Sequence, residues 1–485
     1  MTCIITFKKS FVIDYKKLNN SHEKYFFHID NFLSLRFLCY NAYGDIMDQL
    51  FLERMKALLE DDYDDFINSL SYDPYKRFYI NTRKENVLDH LDKNYIKKHP
   101  YVENGYYFDY KHYPLGKLPY YLCGLYYIQE PSAMLVSELL DVKEDDYVLD
   151  MCGAPGGKSC AIACRLSDEG LLITNDINTS RAKILCENIE RFGLSNTIVT
   201  NSDPLLFSKH FKGFFDKIVL DAPCSGEGMF RKEEKAIETW SYNKVKECAH
   251  IQRQLIKAAY ELLVPEGELI YSTCTYSLEE NEEIIQYALD HFNFKLIDLP
   301  KHKDMSTGVH MSETIRLYPH QYKGEGHFIA KLKKLDGSIH KVKLLKNNIS
   351  KNNLNIIKDF YKENLNIKVP PYLYENNNHI YSIHSHFPDM SNIKVLRTGL
   401  YLGECRKNRF VPSHSLALSL NKGDSLRSYD YKVDSVEIKA YINGQTLIGN
   451  NQKGYGLILV DGYPLSFYKE SNNQIKNLFP KGLRR

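Results

Sequence analysis

Apolar and polar positions follow a spacing that changes several times along the chain. From Met47 onward, Leu50, Phe51, Met55, Leu58 and Leu59 recur at helical spacing, with Glu53 and Lys56 between them. Asp73-Pro74 breaks that pattern, and Phe78 to Asn81 predicts a short strand. Residues 85–130 are tyrosine-rich and punctuated by Pro100, Gly105, Pro114, Gly116 and Pro119. Such tyrosines can stack on bases, although a packed tyrosine is the commoner case. Apolar runs then predict strands at Tyr147–Met151, Leu171–Asn175, Thr197–Thr200, Phe215–Leu220 and Glu268–Tyr271. Helical patterns lie between them: one from Lys158, one ending at Phe192 and a long one over Asn243–Leu263. Phe294–Leu299 and His327–Leu332 close the series. This alternation predicts an α/β fold with a parallel sheet covered by helices. Beyond residue 335 the chain is rich in Asn and Lys. From Lys394, short apolar runs separated by Gly and Pro predict a compact, mostly β module. The expected division is 1–46, an extension without clear periodicity; 47–125, a small α/β domain; 126–335, the central domain; 336–393, a basic linker or small domain; and 394–485, the β module.

Composition narrows the class. A chain of 485 residues exceeds one ordinary core. No apolar run approaches the roughly 18 residues a spanning helix needs, and Lys8 and Lys9 interrupt any leader-like stretch. No membrane partner is expected. The 11 cysteines are odd in number and contain no C-x-x-C pair. They argue against a disulfide framework or a metal site and for a reducing, cytoplasmic setting. His384 and His386 come nearest to a ligand pair, in a polar loop where both read as solvated. The net charge is +2, but residues 331–485 hold 25 Lys and Arg against 12 Asp and Glu. A basic final third on an acidic body is the electrostatic footprint of a polyanion partner, or simply of a basic soluble domain. We read it as separable from the central domain at about residue 335. A monomer is expected.

The chemistry concentrates at strand ends. Cys152-Gly153-Ala154-Pro155-Gly156-Gly157-Lys158 follows the first strand and opens a helix, where small residues let backbone amides approach a ligand. It fits neither the phosphate-loop pattern nor G-x-G-x-x-G. Asp176 ends the second strand, placed to bind ribose hydroxyls, with Arg181 one helical turn on to orient it. Asp203 follows the third strand and can accept from an adenine amino group. Singly each acid is more often a cap or loop residue; in order they describe a nucleoside cleft. Asp221-Ala222-Pro223-Cys224-Ser225-Gly226 ends the fourth strand and Ser272-Thr273-Cys274-Thr275 the fifth. A free cysteine is usually a buried hydrophobe, but these two sit among small and polar residues at strand ends.

Asp150 to Lys158, Asp221 to Phe230 with Arg231-Lys232, and Tyr271 to Asn281 resemble, in order and spacing, the signature blocks of the Sun-type RNA cytosine-5 methyltransferases. Tyr127-Ile128-Gln129-Glu130-Pro131-Ser132-Ala133 is similar to the block that leads into their cofactor domain. Leu400 to Glu404, Pro412-Ser413-His414, Gly454 to Leu457 and Pro480 to Arg484 resemble the C-terminal RNA-binding modules of the bacterial members acting on small-subunit ribosomal RNA. The likeness covers residues 47–485; residues 1–46 match nothing in it and are expected to be dispensable, with Met47 as the start. Gly153 stands where the family more often has alanine, a change not expected to disturb cofactor binding.

The resemblance implies a Rossmann-like S-adenosylmethionine-dependent domain and a PUA-like β domain at the C-terminus. It implies Cys274 as nucleophile, Cys224 as the residue that assists release, Asp221 on the base edge and Lys158 in support. Residues 152–158, Asp176, Arg181, Asp203 and Asp221 would hold the cofactor. The chemistry agrees with it. A thiolate added to ring position 6 makes position 5 of cytosine enamine-like and able to take a methyl group, and the target base must leave its stack. A DNA cytosine-5 methyltransferase would instead make Cys224 the attacker. A non-catalytic RNA-binding assembly factor would need neither cysteine.

Overall fold

A computed structural model describes residues 47–484 and, ahead of them, the backbone of two paired dipeptide strands, Phe11–Val12 and Phe26–Phe27. The expectations for residues 1–46 lie outside the described residues.

The centre is a ten-stranded sheet built from β1 (Tyr147–Asp150), β2 (Leu171–Asn175), β3 (Thr197–Thr200), β4 (Phe215–Asp221), β5 (Leu263–Thr273), β6 (Phe294–Ile297), β7 (Ser306–Gly308), β8 (Met311–Leu317), β9 (His327–Lys334) and β10 (Val395–Thr398). Its order is β7-β8-β9-β5-β4-β1-β2-β3-β10, with β6 also pairing β9. β3, β2, β1, β4 and β5 run parallel. Strands buried on both faces read as continuous apolar runs, which is why these five were visible in the sequence. Successive side chains go to opposite faces. Leu149, Ile173, Ile218, Leu220 and Leu269 pack with Leu255, Ile256 and Ala259 of the helix Tyr242–Leu262. Val148, Leu172, Val199, Val219 and Ile270 pack with α1 (Gly157–Arg165) and α2 (Thr179–Arg191) through Ile162, Leu185 and Ile189.

The sheet departs from the expected parallel one at both edges. β9 runs antiparallel beside β5, pairing Ser272 with Ile329. β10 runs antiparallel beside β3, pairing Val395 with Thr200. The break expected at residues 393–394 therefore falls inside continuous structure. Four strands, Leu373–Asn376, His379–Ser382, Leu400–Arg406 and Arg409–Pro412, form one further sheet across it. Nor are His384 and His386 solvated: both are half-buried, and His386 stacks on Tyr147.

The final sheet contains Ser428–Tyr431, Gly454–Val460, Tyr463–Ser471, Gln474–Asn477 and Leu447–Ile448. Its Ile458, Val460 and Leu465, with Ile438 and Tyr441, share one core with Phe78, Ile80, Phe108 and Tyr126 of the N-terminal antiparallel sheet. The N-terminal helices Gln49–Leu59 and Tyr63–Ser69 instead pack Phe51, Met55 and Phe66 on Phe230, Trp240 and Tyr276, beside the cysteine loops.

The basic third is thus not separable at residue 335. Arg397 of β10 is buried, donates to the carbonyls of Leu194 and Thr197, and is supported by the charge of Glu190. Removing one partner of a buried charge leaves the other uncompensated. Arg397→Met is expected to lower stability by about 3 kcal/mol, read as a fall in the melting temperature of the whole chain.

Candidate active site

Parallel pairing puts Asp221 opposite Ser272. Two chains leaving adjacent strands at the same level then launch Cys224 and Cys274 side by side, and their sulfurs stand 3.1 Å apart. Strand order reverses between β1 and β4, so the loops open at the topological switch point, where open α/β sheets bind ligands.

The two loops are stitched together by buried carboxylates. Glu227 accepts from Thr275 Oγ1 (2.8 Å), the Tyr276 amide (2.8 Å), Ser277 Oγ (2.7 Å) and Trp240 Nε1 (2.9 Å). Ser225 and Thr275 hydroxyls meet at 2.8 Å, and the Gly228 amide donates to the Cys274 carbonyl at 2.9 Å.

Asp221 accepts from Lys158 Nζ at 2.7 Å and from Ser272 Oγ at 2.7 Å, and His327 Nε2 of β9 lies 3.6 Å away. Burial alone would raise its pKa. The Lys158 ammonium and His327 outweigh that and hold the carboxylate well below its ordinary range. Burial acts against the Lys158 charge, but Asp221, Asp150 and Cys274 together raise its amine above the usual lysine value. The Cys224 thiol is pushed well above the ordinary thiol range by its hydrogen bond to Cys274, by burial and by the charge of Cys274. Either sulfur of the pair can act as the donor.

The glycine loop is fixed from outside. Arg181 Nη2 donates to the Ala154 carbonyl at 2.7 Å and Asn188 Nδ2 to the Pro155 carbonyl at 2.9 Å. Gly156 caps α1 with φ +113°, a conformation suited to glycine. Burial pushes the Cys152 thiol up. Asp176 is buried; one oxygen accepts from the Asn178 amide (2.8 Å), and the other has no hydrogen bond and faces Arg181 at 3.4 Å. Asp150 likewise has one buried oxygen without a partner. Such orphaned acceptors at adjacent strand ends suit a polyhydroxylated ligand. Asp203 is exposed and caps a short helix through the Leu205 amide at 3.0 Å, the ordinary role of a loop acid.

Four family descriptions match in sequence order. They are the N-terminal domain of 16S rRNA methyltransferase RsmF (residues 47–131), 16S rRNA methyltransferase RsmB/F (137–333), the RsmF rRNA methyltransferase first C-terminal domain (359–420) and the methyltransferase RsmF PUA domain (428–485). A ribosomal RNA small subunit methyltransferase F of Vibrio vulnificus is 31% identical over 466 residues, which cover 90% of this chain and 98% of the relative. The chain belongs to the RsmB/F family. It is accordingly an rRNA cytosine-5 methyltransferase. A second relative of the same name, from Aeromonas salmonicida, is 32% identical and covers 77% of this chain and 81% of its own. Among solved structures, a methyltransferase homologue from Pyrococcus horikoshii is 30% identical with a TM-score of 0.55, covering 62% of this chain and 98% of that one. NSun6 from the same organism, solved with SFG, is 25% identical with a TM-score of 0.54, covering 60% and 99%.

Sequence reasoning missed His327, Glu227, Glu280 and Gln252. His327 had a signal, a polar residue opening the apolar run to Leu332. The others act through partners remote in sequence.

The expected departure at Gly153 has a steric cause in this RsmB/F chain. A Cβ there would stand 2.1 Å from Thr174 Oγ1 and 2.8 Å from Ser159 Oγ. Thr174 fills the space an alanine would take. Gly153→Ala should cost about 1–3 kcal/mol, and Thr174→Ala in the same chain should recover part of it, seen as a non-additive double-mutant cycle in thermal unfolding.

Burial raises the Asp150 carboxyl from 3.8 to about 6. The folded state then holds a proton that the unfolded chain releases, so stability falls as pH rises from about 4 to about 6. Asp150→Asn is expected to remove up to about 3 kcal/mol of that fall, measured as melting temperature against pH.

Proposed function

We infer that this enzyme methylates position 5 of a cytosine in 16S rRNA through a covalent Cys274–cytosine adduct, using S-adenosylmethionine and working as a monomer in the cytoplasm. The observation that carries the reading is the cysteine pair, two sulfurs 3.1 Å apart at the ends of adjacent parallel strands. Membership of the RsmB/F family favours Cys274 as attacker over the arrangement of DNA enzymes. The ionised Asp221 accepts from the exocyclic amino group and from ring N3 once the adduct is protonated there. Lys158 holds that carboxylate, and His327 and Ser272 complete its shell.

Residues 152–158, Asp176 and Arg181 suit S-adenosylmethionine, which supplies the methyl group when bound. The unpartnered oxygen of Asp176 suits a ribose hydroxyl; Asp203 would reach an adenine from the surface. The partner is RNA, in keeping with the PUA domain and the basic final third. Nine cysteines among the described residues are free thiols, which fits a reducing compartment. No described helix is long and apolar enough to cross a membrane.

Release requires a base to take the position-5 proton, after which the ring double bond reforms and Cys274 leaves as a thiolate. Cys224, in its thiolate form, lies beside Cys274 to be that base. Cys274→Ala should abolish methylation and adduct alike. Cys224→Ala should still attack and accept methyl, and should accumulate a protein–RNA species that survives denaturing electrophoresis. The reverse pattern would overturn the assignment.

A further inference from the structure

We propose that Glu280 is a positioning residue for the release step, holding the backbone on both sides of Cys224 so that its thiol stays against Cys274. This rests on the release role of Cys224 given above. Glu280 lies six residues beyond Cys274 and is fully buried. Its Oε2 accepts from the Ser225 amide at 3.0 Å, immediately after Cys224. The same oxygen accepts from Gln252 Nε2 at 3.0 Å, and Gln252 also donates to the Pro223 carbonyl at 2.9 Å, immediately before Cys224. Gln252 is fully buried too, on the helix Tyr242–Leu262. Glu280 is itself anchored to β5, since Tyr271 Oη donates to its carbonyl at 2.6 Å.

One carboxylate oxygen and one amide thus grip the dipeptides flanking the thiol, from an element that follows the other cysteine. The two cysteine loops are thereby held in register by a side chain belonging to neither. A carboxyl is a costly group for that task in a dry site. Its Oε1 has no partner, and burial raises the group to about 7, so it holds a proton readily. A neutral amide of the same shape would keep the acceptor that Ser225 and Gln252 use.

The predicted phenotype is specific to release. A displaced thiol loses its rate advantage steeply, whereas attack by Cys274 needs only its own loop. Glu280→Ala should lower steady-state turnover about tenfold or more, with single-turnover methyl transfer changed by less than about threefold. It should accumulate the denaturation-resistant protein–RNA species with cofactor present, as Cys224→Ala does. Glu280→Gln should recover release. Gln252→Met, which keeps the volume and removes the donor, should trap adduct in the same direction and reports independently should Glu280→Ala fail to fold. The experiment uses the full chain, 16S rRNA and S-adenosylmethionine, with Cys224→Ala alongside. Adduct in Cys224→Ala but in neither the Glu280→Ala nor the Gln252→Met protein overturns the role of Glu280 alone. Loss of single-turnover transfer in folded Glu280→Ala likewise overturns it. No adduct in Cys224→Ala removes the release role of that cysteine, and this inference with it.

Discussion

The half-buried ion pair between Lys158 and Asp221 joins the two halves of the site. Lys158 belongs to the first turn of the helix that follows the glycine loop, and Asp221 ends the strand that leads into the Cys224 loop. Their 2.7 Å contact ties the loop expected to hold the cofactor to the residue expected to hold the base. Breaking the pair by removing one partner leaves the other charge at the site without its countercharge. The pair also fixes protonation: Asp221 stays an acceptor and Lys158 a cation, whatever the thiols beside them do.

Around that pair the site is built of acceptors that stay put. Glu227 takes four donors from two segments and leaves little freedom to the turn after Cys274. Arg181 and Asn188 take up the carbonyls of the glycine loop from outside. What remains movable is confined to the two sulfurs and their shared proton. That is a suitable division for a reaction in which one sulfur must form and then break a bond to carbon.

Much of this was legible because strand ends carry local signatures. Asp176, Asp221 and the two cysteines each follow an apolar run, so the alternation of strands and helices put them at one edge of one sheet without any knowledge of contacts. The glycine loop was equally visible, yet the reason for Gly153 was not, because Thr174 is its neighbour only across β1 and β2. β10 was missed for a similar reason. Its partner β3 lies about two hundred residues earlier, and Val395-Leu396-Arg397-Thr398 reads like any short strand until Arg397 is seen buried against Leu194 and Thr197. Glu280 sat in plain view within an acidic stretch, where a carboxylate reads as solvated; only packing beneath the helix Tyr242–Leu262 makes it internal. Asp203, a strand-end acid, also caps the short helix after it through the Leu205 amide.

The core shared by Phe78, Phe108 and Tyr126 with Ile438, Ile458 and Val460 governs the order in which the chain can mature. The N-terminal sheet leaves the ribosome roughly 350 residues before the strands that cover it, which at ordinary elongation rates is on the order of tens of seconds. Through that interval its apolar face has no native cover, and Tyr120 and Glu85 lack the Asp461 and Tyr463 groups they bond in the finished molecule. The methyltransferase sheet waits as well, for β10 at its edge. Native cover of the N-terminal sheet therefore waits on the late strands Gly454–Val460 and Tyr463–Ser471, and until they arrive its apolar face is open to non-native contacts.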